Sequence, residues 1–351
     1  MIGLSALSSV LPIGSSLENV LGAVLLKKNG FKSVTEYDTT AFYNPQGGLL
    51  DQIPFPESFP VSKTRRLSRL SKIFLSTFLK ALDHYGPIPY LPEERGLILA
   101  TSHGSLESCI AYHETLFRSP HLVSPMLFTE GGFNAGISHL SIHGNFQGTL
   151  QSLSGDENVG LSTILMAKTL LESSSQKVIF TGGAYEWTRL AHQVYDRLSL
   201  GKLTLGEGAS FLVLESSENL HQRKISPDCW IQDGFGFHLH SMHLSHLSDL
   251  HHRILDFLER NHLHPHDIDL FITGKNQTEK DPIFQFLQES IWTQSEAIHP
   301  LNYIGESFAC SSSFQASLGA MLLKQKKYRK AIVFSYSCRG NGTLLLLTAE
   351  P

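Results

Sequence analysis

The chain has 351 residues, a formal net charge of −4, 41 % hydrophobic residues and 17 % charged residues. Such a composition argues against disorder, and a pI near 6.5 argues against a surface given over to nucleic acid. No apolar run reaches the roughly 18 residues of a membrane helix, the first residues lack the basic start of a secretory signal, and four widely spaced cysteines without a CxxC pair point to a reducing, cytoplasmic compartment.

In chain order, apolar periodicity predicts a helix over Arg66–Leu82 and a buried strand over Gly96–Thr101 (GLILAT). A helix over Gly160–Glu172 leads to a strand at Val178–Thr181 that ends in Gly182–Gly183, and another strand follows at Ala209–Leu214. The second half repeats the alternation. It has a helix over Leu247–Asn261, a strand at Ile268–Thr273, a helix over Ser313–Lys326 and strands at Ala331–Ser335 and Thr343–Thr348. Strands alternating with helices predict an α/β fold whose sheet is covered on both faces. No Pro/Gly/Ser-rich linker interrupts it, so one unit over 1–351 is expected, with approximate halves 1–215 and 216–351. The stretch from Gly160 (GLSTILMAKTLLESSSQKVIFTGG) echoes the stretch from Ser312 (SSFQASLGAMLLKQKKYRKAIVFS) at an offset of 153 residues. That echo suggests two similar halves about a pseudo-two-fold axis.

GKLTLGEGASFLVLES (Gly201–Ser216) resembles the GEGAgxlvLE segment of the β-ketoacyl-carrier-protein synthases, the condensing enzymes of the thiolase fold. Further stretches resemble the family in order: Ile2–Glu18, Arg65–Leu82, TSHG at Thr101–Gly104, SPMLFTEGGFN at Ser124–Asn134, Gly160–Gly183 and Asn341–Thr348. The resemblance implies a thiolase-type α/β/α/β/α five-layered sandwich with no cofactor and no metal. The chain is shorter than a usual ketosynthase after Gly183 and between Gly236 and Asp267.

A ketosynthase needs a cysteine at a helix N-terminus, where helix end and amides activate the thiol and hold an oxyanion, and two histidines. The family's "aCsSG" falls on Asp156–Gly160, which places Glu157 at the cysteine position. "HGTxTxxxD" falls on Thr273 through Asp281, placing Thr273 at the first histidine. "KSxxGHxxGAAG" falls on Leu301 through Ser312, placing Leu301 at the lysine and Glu306 at the second histidine. The triad Glu157, Thr273, Glu306 is therefore degenerate, and no catalytic residue is expected. A carboxylate suits a helix N-terminus, so Glu157 reads either as a plug in the oxyanion hole or as drift in a dead pocket.

Other signals stay open at this level. Cys310, in FACSSSFQA, is either a relocated acyl acceptor or a packed small residue. Nine of the 18 histidines lie between His238 and His266, but without a HExxH-like frame. Asp156, Glu157 and Glu306 would make an acid–base or cation site only if the fold brings them together, with Lys275 to neutralise them. Lys63, Arg65, Arg66, Arg69 and Lys72 occupy the stretch with which the family docks acyl carrier protein, or they form a solvated helix face.

The resemblance implies a catalytically silent subunit of the chain-length-factor type. It would pair with an active β-ketoacyl-ACP synthase in type II polyketide, aryl-polyene or fatty acid biosynthesis. Family dimers lay one subunit's segment across the floor of the other's acyl tunnel. Here that segment is Met126–Asn134, with Met126, Leu127, Phe128 and Phe133 as bulky tunnel residues, or else as ordinary core. The competing readings are an active acyltransferase that uses Cys310 or Ser154, and a non-enzymatic homodimeric scaffold for carrier proteins.

Overall fold

The computed structural model describes residues 1–240, 244–274 and 281–351. The chain opens with β1 (Ile2–Val10), whose small and apolar residues are buried almost throughout. Ser16 caps α1 (Leu17–Leu25) by accepting the Asn19 N–H. After a short ribbon, β2 (Lys32–Ser33) with β3 (Gln46–Gly47), comes α2 (Arg69–Tyr85). The Ser68 hydroxyl accepts the Ser71 N–H and fixes the start of α2 three residues later than the periodicity predicts. Lys63 consequently lies on a separate 3₁₀ turn, Val61–Thr64, and Arg65 and Arg66 lie between the two.

The first half continues through β4 (Arg95–Thr101), α3 (Leu106–Arg118), α4 (Pro125–Glu130), α5 (Ala135–Gly144) and β5 (Leu150–Ser154). It closes with α6 (Val159–Ser173), β6 (Val178–Tyr185), α7 (Arg189–Ser199) and β7 (Gly208–Ser216). α8 (Ser217–Arg223) leads into the second half: β8 (Cys229–His238), α9 (Leu244–Arg260), β9 (Leu270–Thr273), α10 (Pro282–Ser290) and β10 (Glu296–Ile298). α11 (Leu301–Ile304), α12 (Ala309–Lys324), β11 (Lys330–Tyr336) and β12 (Asn341–Thr348) complete it.

The main sheet runs β10-β9-β11-β12-β8-β1-β7-β6-β4-β5. Its two five-stranded parts carry the same order and the same senses. β4 is parallel to β5 and β6, as β9 is to β10 and β11, and β7 and β12 are antiparallel to their neighbours. The parts meet at β1 and β8 through three residue pairs, Ile2–Ile231, Gly3–Trp230 and Leu4–Cys229.

Three core clusters define the layers. α2 and α5 pack on the outer face of the first sheet through Ile73, Phe74, Phe78 and Leu140. α9 and α10 pack on the outer face of the second through Ile254, Phe257, Ile283 and Leu287. α6 and α12 fill the space between the sheets. This is the five-layered arrangement with two pseudo-symmetric halves. α12 is buried from Ala309 to Leu323, on every side. Small residues let the layers close: a Cβ on Gly183 would stand 2.2 Å from the Ala309 carbonyl, and one on Gly160 would stand 2.3 Å from it.

Candidate functional site

The degenerate triad comes from three places in the fold, the turn before α6, the end of β9 and the turn before α12. Glu157 sits half-buried in the turn before α6, next to its N-cap Asn158. Glu306 is buried in the turn before α12, where its Oε1 accepts the Phe308 N–H at 2.6 Å. Its own backbone is fixed by the Glu306 N–H donating to Thr204 O and by Gly206 donating to Glu306 O, both at 2.8 Å. The Glu306 carboxylate thereby holds Phe308 at φ +49° and ψ −109°, a conformation that costs a non-glycine residue about 1–3 kcal/mol. Thr273 is fully buried at the end of β9, and its hydroxyl has no hydrogen-bond partner among the described residues. Lys275 lies outside the described residues.

Four rings occupy the space beside these carboxylates. His103, Tyr185, Tyr195 and Phe308 pack with centroids 4.9–5.9 Å apart, and His103 Nε2 lies 3.1 Å from the Tyr195 hydroxyl. Burial and then the charges of Glu157, Cys338, Glu306 and Asp156 push the Tyr195 hydroxyl up to about 12. All three carboxylates thus oppose ionisation of this one phenol. Burial holds the His103 imidazole below its usual value, against the opposing charge of Asp156, so His103 is neutral near pH 7. His103 and Tyr195, which sequence reasoning does not single out, are 92 residues apart. The only trace of the pair is the histidine within TSHG.

The set can hold carboxylates against a neutral imidazole and a protonated phenol. Its exposed thiol is Cys338, whose charge also acts on Tyr195. Cys310 is fully buried near the start of α12, and burial pushes its thiol up to about 12 despite a hydrogen bond with Ser307. A buried, protonated thiol does not attack an acyl group, and this burial fits the reading of Cys310 as a packed small residue. Ser154 is exposed at the end of β5, and no base is hydrogen-bonded to it among the described residues.

Two other expectations change. Arg69 does not present a docking cation. Its Nε donates to Glu207 Oε2 at 2.7 Å, its Nη2 reaches Glu207 Oε1 and Leu50 O, and Glu207 is wholly buried. Lys63, Arg65 and Arg66 are exposed and Lys72 is half-buried. Three of the four bulky residues in Met126–Asn134 are not core: Met126 is 40 %, Phe128 67 % and Phe133 52 % exposed. Leu127 is half-buried, and Asn134 is exposed at the N-cap of α5. Phe128 packs on Tyr112 at the lip of an apolar groove of about 610 Å³, which Cys109 and Leu127 help to line. Phe117, Leu122, Ile142 and Leu150 are exposed as well, the last of them on β5, an edge strand of the sheet.

The histidine-rich segment forms no metal centre among the described residues. His238 and His240 pack edge to face, and His238 Nδ1 contacts Asn341 Oδ1 at 2.9 Å. His262, His264 and His266 are exposed. His243 and the side chain of His246 lie outside the described residues.

No family model matches the chain. The 3-oxoacyl-[acyl-carrier-protein] synthase 2 of Vibrio harveyi is 23 % identical over 238 residues, 60 % of this chain and 57 % of that protein. The enzyme of the same name from Vibrio cholerae serotype O1 is 22 % identical over the same share. The chain thus spans 57 % of the length of the curated relatives it matches.

Among solved structures, a β-ketoacyl synthase from Burkholderia phymatum superposes with a TM-score of 0.87 at 17 % identity, covering 99 % of this chain and 98 % of that one. The ishigamide ketosynthase/chain length factor superposes at 0.82, with 16 % identity and 99 % of each chain covered. A type II polyketide ketosynthase, solved in complex with its acyl-carrier protein and bound to a hexaketide, superposes at 0.80, with 17 % identity and 99 % of each chain covered. The chain has the thiolase-type fold of the ketosynthases. Within the described residues no helix is long and apolar enough to cross a membrane.

Proposed function

We propose that the chain is a catalytically silent member of the β-ketoacyl synthase family that pairs with an active ketosynthase and shapes its acyl tunnel. The observation that carries this reading is the state of the Glu306 position. There, where condensation needs a histidine, a carboxylate holds its own turn closed under a packed ring cluster. Glu157 stands where an acyl-accepting thiol is needed, and its negative charge at the mouth of α6 is favourable to the helix and useless as an acyl acceptor.

The partner surface in this reading is the apolar face of α3, α4, α5 and β5. Exposed Phe117, Phe128, Phe133 and Ile142 would desolvate against a second subunit, and interfaces of the obligate kind exceed about 2,000 Å². Met126–Asn134 then closes the far end of the partner's tunnel. Its side chains set chain length by volume, since a close-packed wall tolerates little overfilling, while each additional buried CH₂ contributes only about 0.8 kcal/mol. Lys63, Arg65 and Arg66 would steer the acidic carrier protein to the pair. The presence of a ketosynthase/chain length factor and of a ketosynthase bound to its carrier protein among the structural neighbours supports this reading.

The test is product length from the reconstituted pair. Phe128→Ala or Phe133→Ala should lengthen the products without abolishing turnover, and Leu127→Trp should shorten them. Unchanged product masses across all three substitutions, with the complex intact by native mass spectrometry, would sink the chain-length role. Failure of the chain to associate with any co-expressed ketosynthase would favour the homodimeric scaffold.

A further inference from the structure

We propose that the cleft between α6 and the paired ends of β8 and β12 binds a small amphipathic organic anion. The cleft is open to solvent and offers about 870 Å³, within the roughly 300–1,000 Å³ of typical small-ligand sites. Among the described residues lining it are none of Glu157, Thr273 and Glu306. Asp156 and Asn158, on either side of Glu157, do line it, so the cleft opens beside the degenerate triad, but the inference does not rest on the subunit reading.

The walls differ in chemistry. On the α6 side, Leu165 and Met166 turn half-buried apolar side chains into the space. The opposite wall is largely main chain. Gly236 pairs with Thr343 across β8 and β12, and the nearest atom to a Cβ built on Gly236 is Gly342 O, 3.8 Å away. Between the walls, Asn158 Nδ2 reaches Ser162 Oγ at 3.3 Å and Thr343 Oγ1 at 3.4 Å. Contacts that long are weak, so a ligand oxygen can replace them without leaving a buried donor unpaired.

Charge selects the ligand. Arg253 enters the rim from α9, and Arg339 from the turn before β12. Arg253 leans on the Phe235 ring at 5.4 Å and donates to Gly236 O at 3.3 Å. Among the described residues no carboxylate lies within ion-pair reach of it. Arg339 is 77 % exposed and stands 3.7 Å from Asp156, the one carboxylate among the described residues that line the cleft. Two loosely held guanidinium groups against one carboxylate make a cationic rim on a chain of net charge −4. Guanidinium forks match carboxylate and phosphate oxygens in pairs. The fitting ligand carries such a head on a short apolar chain, with the head at Arg253 and Arg339 and the chain along Leu165 and Met166.

The experiment is isothermal titration of the full chain with n-octanoate and with octyl phosphate, beside inorganic phosphate and octyltrimethylammonium. One site per chain for at least one of the octyl anions is expected, and the tighter of the two identifies the head as carboxylate or phosphate. Arg253→Gln with Arg339→Gln, both surface changes, should weaken that binding at least tenfold and leave the thermal midpoint unaltered. Met166→Glu should weaken it through the tail. Absence of binding by both octyl anions would overturn the proposal. So would affinity unchanged in the double variant, or inorganic phosphate or the octyl cation binding as tightly as the octyl anions.

Discussion

Arg69 lies within a basic run, yet its guanidinium is bound to a carboxylate that no solvent reaches. Replacing it with methionine keeps most of its volume and removes the charge, leaving Glu207 as an unpaired buried anion. Breaking a buried pair from one side costs about 3–5 kcal/mol. Two features place this case at the lower end: the Arg69 side chain is one-third exposed, and Glu207 keeps the N–H groups of Leu50 and Trp187 at 2.9 and 3.1 Å. Unfolding entropy of about 2.1 cal/mol/K per residue amounts to roughly 0.7 kcal/mol/K for a chain of this length. A loss of about 3 kcal/mol then lowers the thermal midpoint by about 4 °C. Arg65→Ala and Arg66→Ala, on exposed side chains, should shift it by less than about 1 °C. Calorimetry of the three variants, beside their affinity for an acyl carrier protein, separates the roles. A methionine variant with the parent's midpoint and weakened carrier binding would refute the buried-pair argument and restore Arg69 to the docking surface.

Glu186 accepts the Leu70 and Glu107 N–H groups and is raised to about 7 by burial, against those bonds. A raised acid binds its proton more tightly when folded, so its contribution is full below about pH 4.5 and is lost as pH rises through 7, by up to about 3 kcal/mol; Glu186→Gln should flatten denaturation midpoints over that window. Glu130 behaves oppositely. Burial alone would raise it, but His139, the Ser68 N–H and the Ser71 hydroxyl outweigh that and lower it to about 2, so its contribution is present above about pH 4.5 and is lost as pH falls toward 2; Glu130→Gln should remove that acid-side loss. Incubation with acylated carrier protein should leave the intact mass unchanged, and a stoichiometric adduct absent from Cys310→Ala would overturn the silent reading. Glu157→Cys with Thr273→His and Glu306→His should not recover malonyl decarboxylation, because the last change removes the acceptor of the Phe308 N–H; measurable turnover would show the pocket intact beneath the rings.

Most of the sandwich was legible because strands such as β4 and β6 are short apolar runs closed by turns. Other elements were not. β8, CWIQDGFGFH, mixes glycine with half-buried polar residues, so no period stands out. β5, LQSLS, is a partly exposed edge strand with little apolar signal. The start of α12 was read at Ser313 rather than Ala309, since a helix buried on all sides shows no polar face to mark its first turn. The degenerate triad could be placed by motif, but the fate of those side chains could not. Glu207 lies 138 residues from Arg69 and Tyr195 lies 92 from His103, and no local pattern carries such pairings. Whether Phe128 and Phe133 were core or surface likewise depended on what the fold left uncovered around them.

The middle layer has a consequence for how the chain is made. α12 is encoded in the second half but lies against β6 and β7 of the first, as well as against β11. Until Lys324 has been synthesised, the inner face of the first sheet lacks one of the two helices, α6 and α12, that fill the middle layer. From the end of β7 at Ser216 to the end of α12 at Lys324 a nascent chain carries that apolar surface, when aggregation and chaperone capture compete with folding. The pairings that end this exposure are long-range and slow to form. Neither half, expressed alone, has both helices of its own core, so truncation anywhere before α12 should give a sticky fragment rather than a smaller domain.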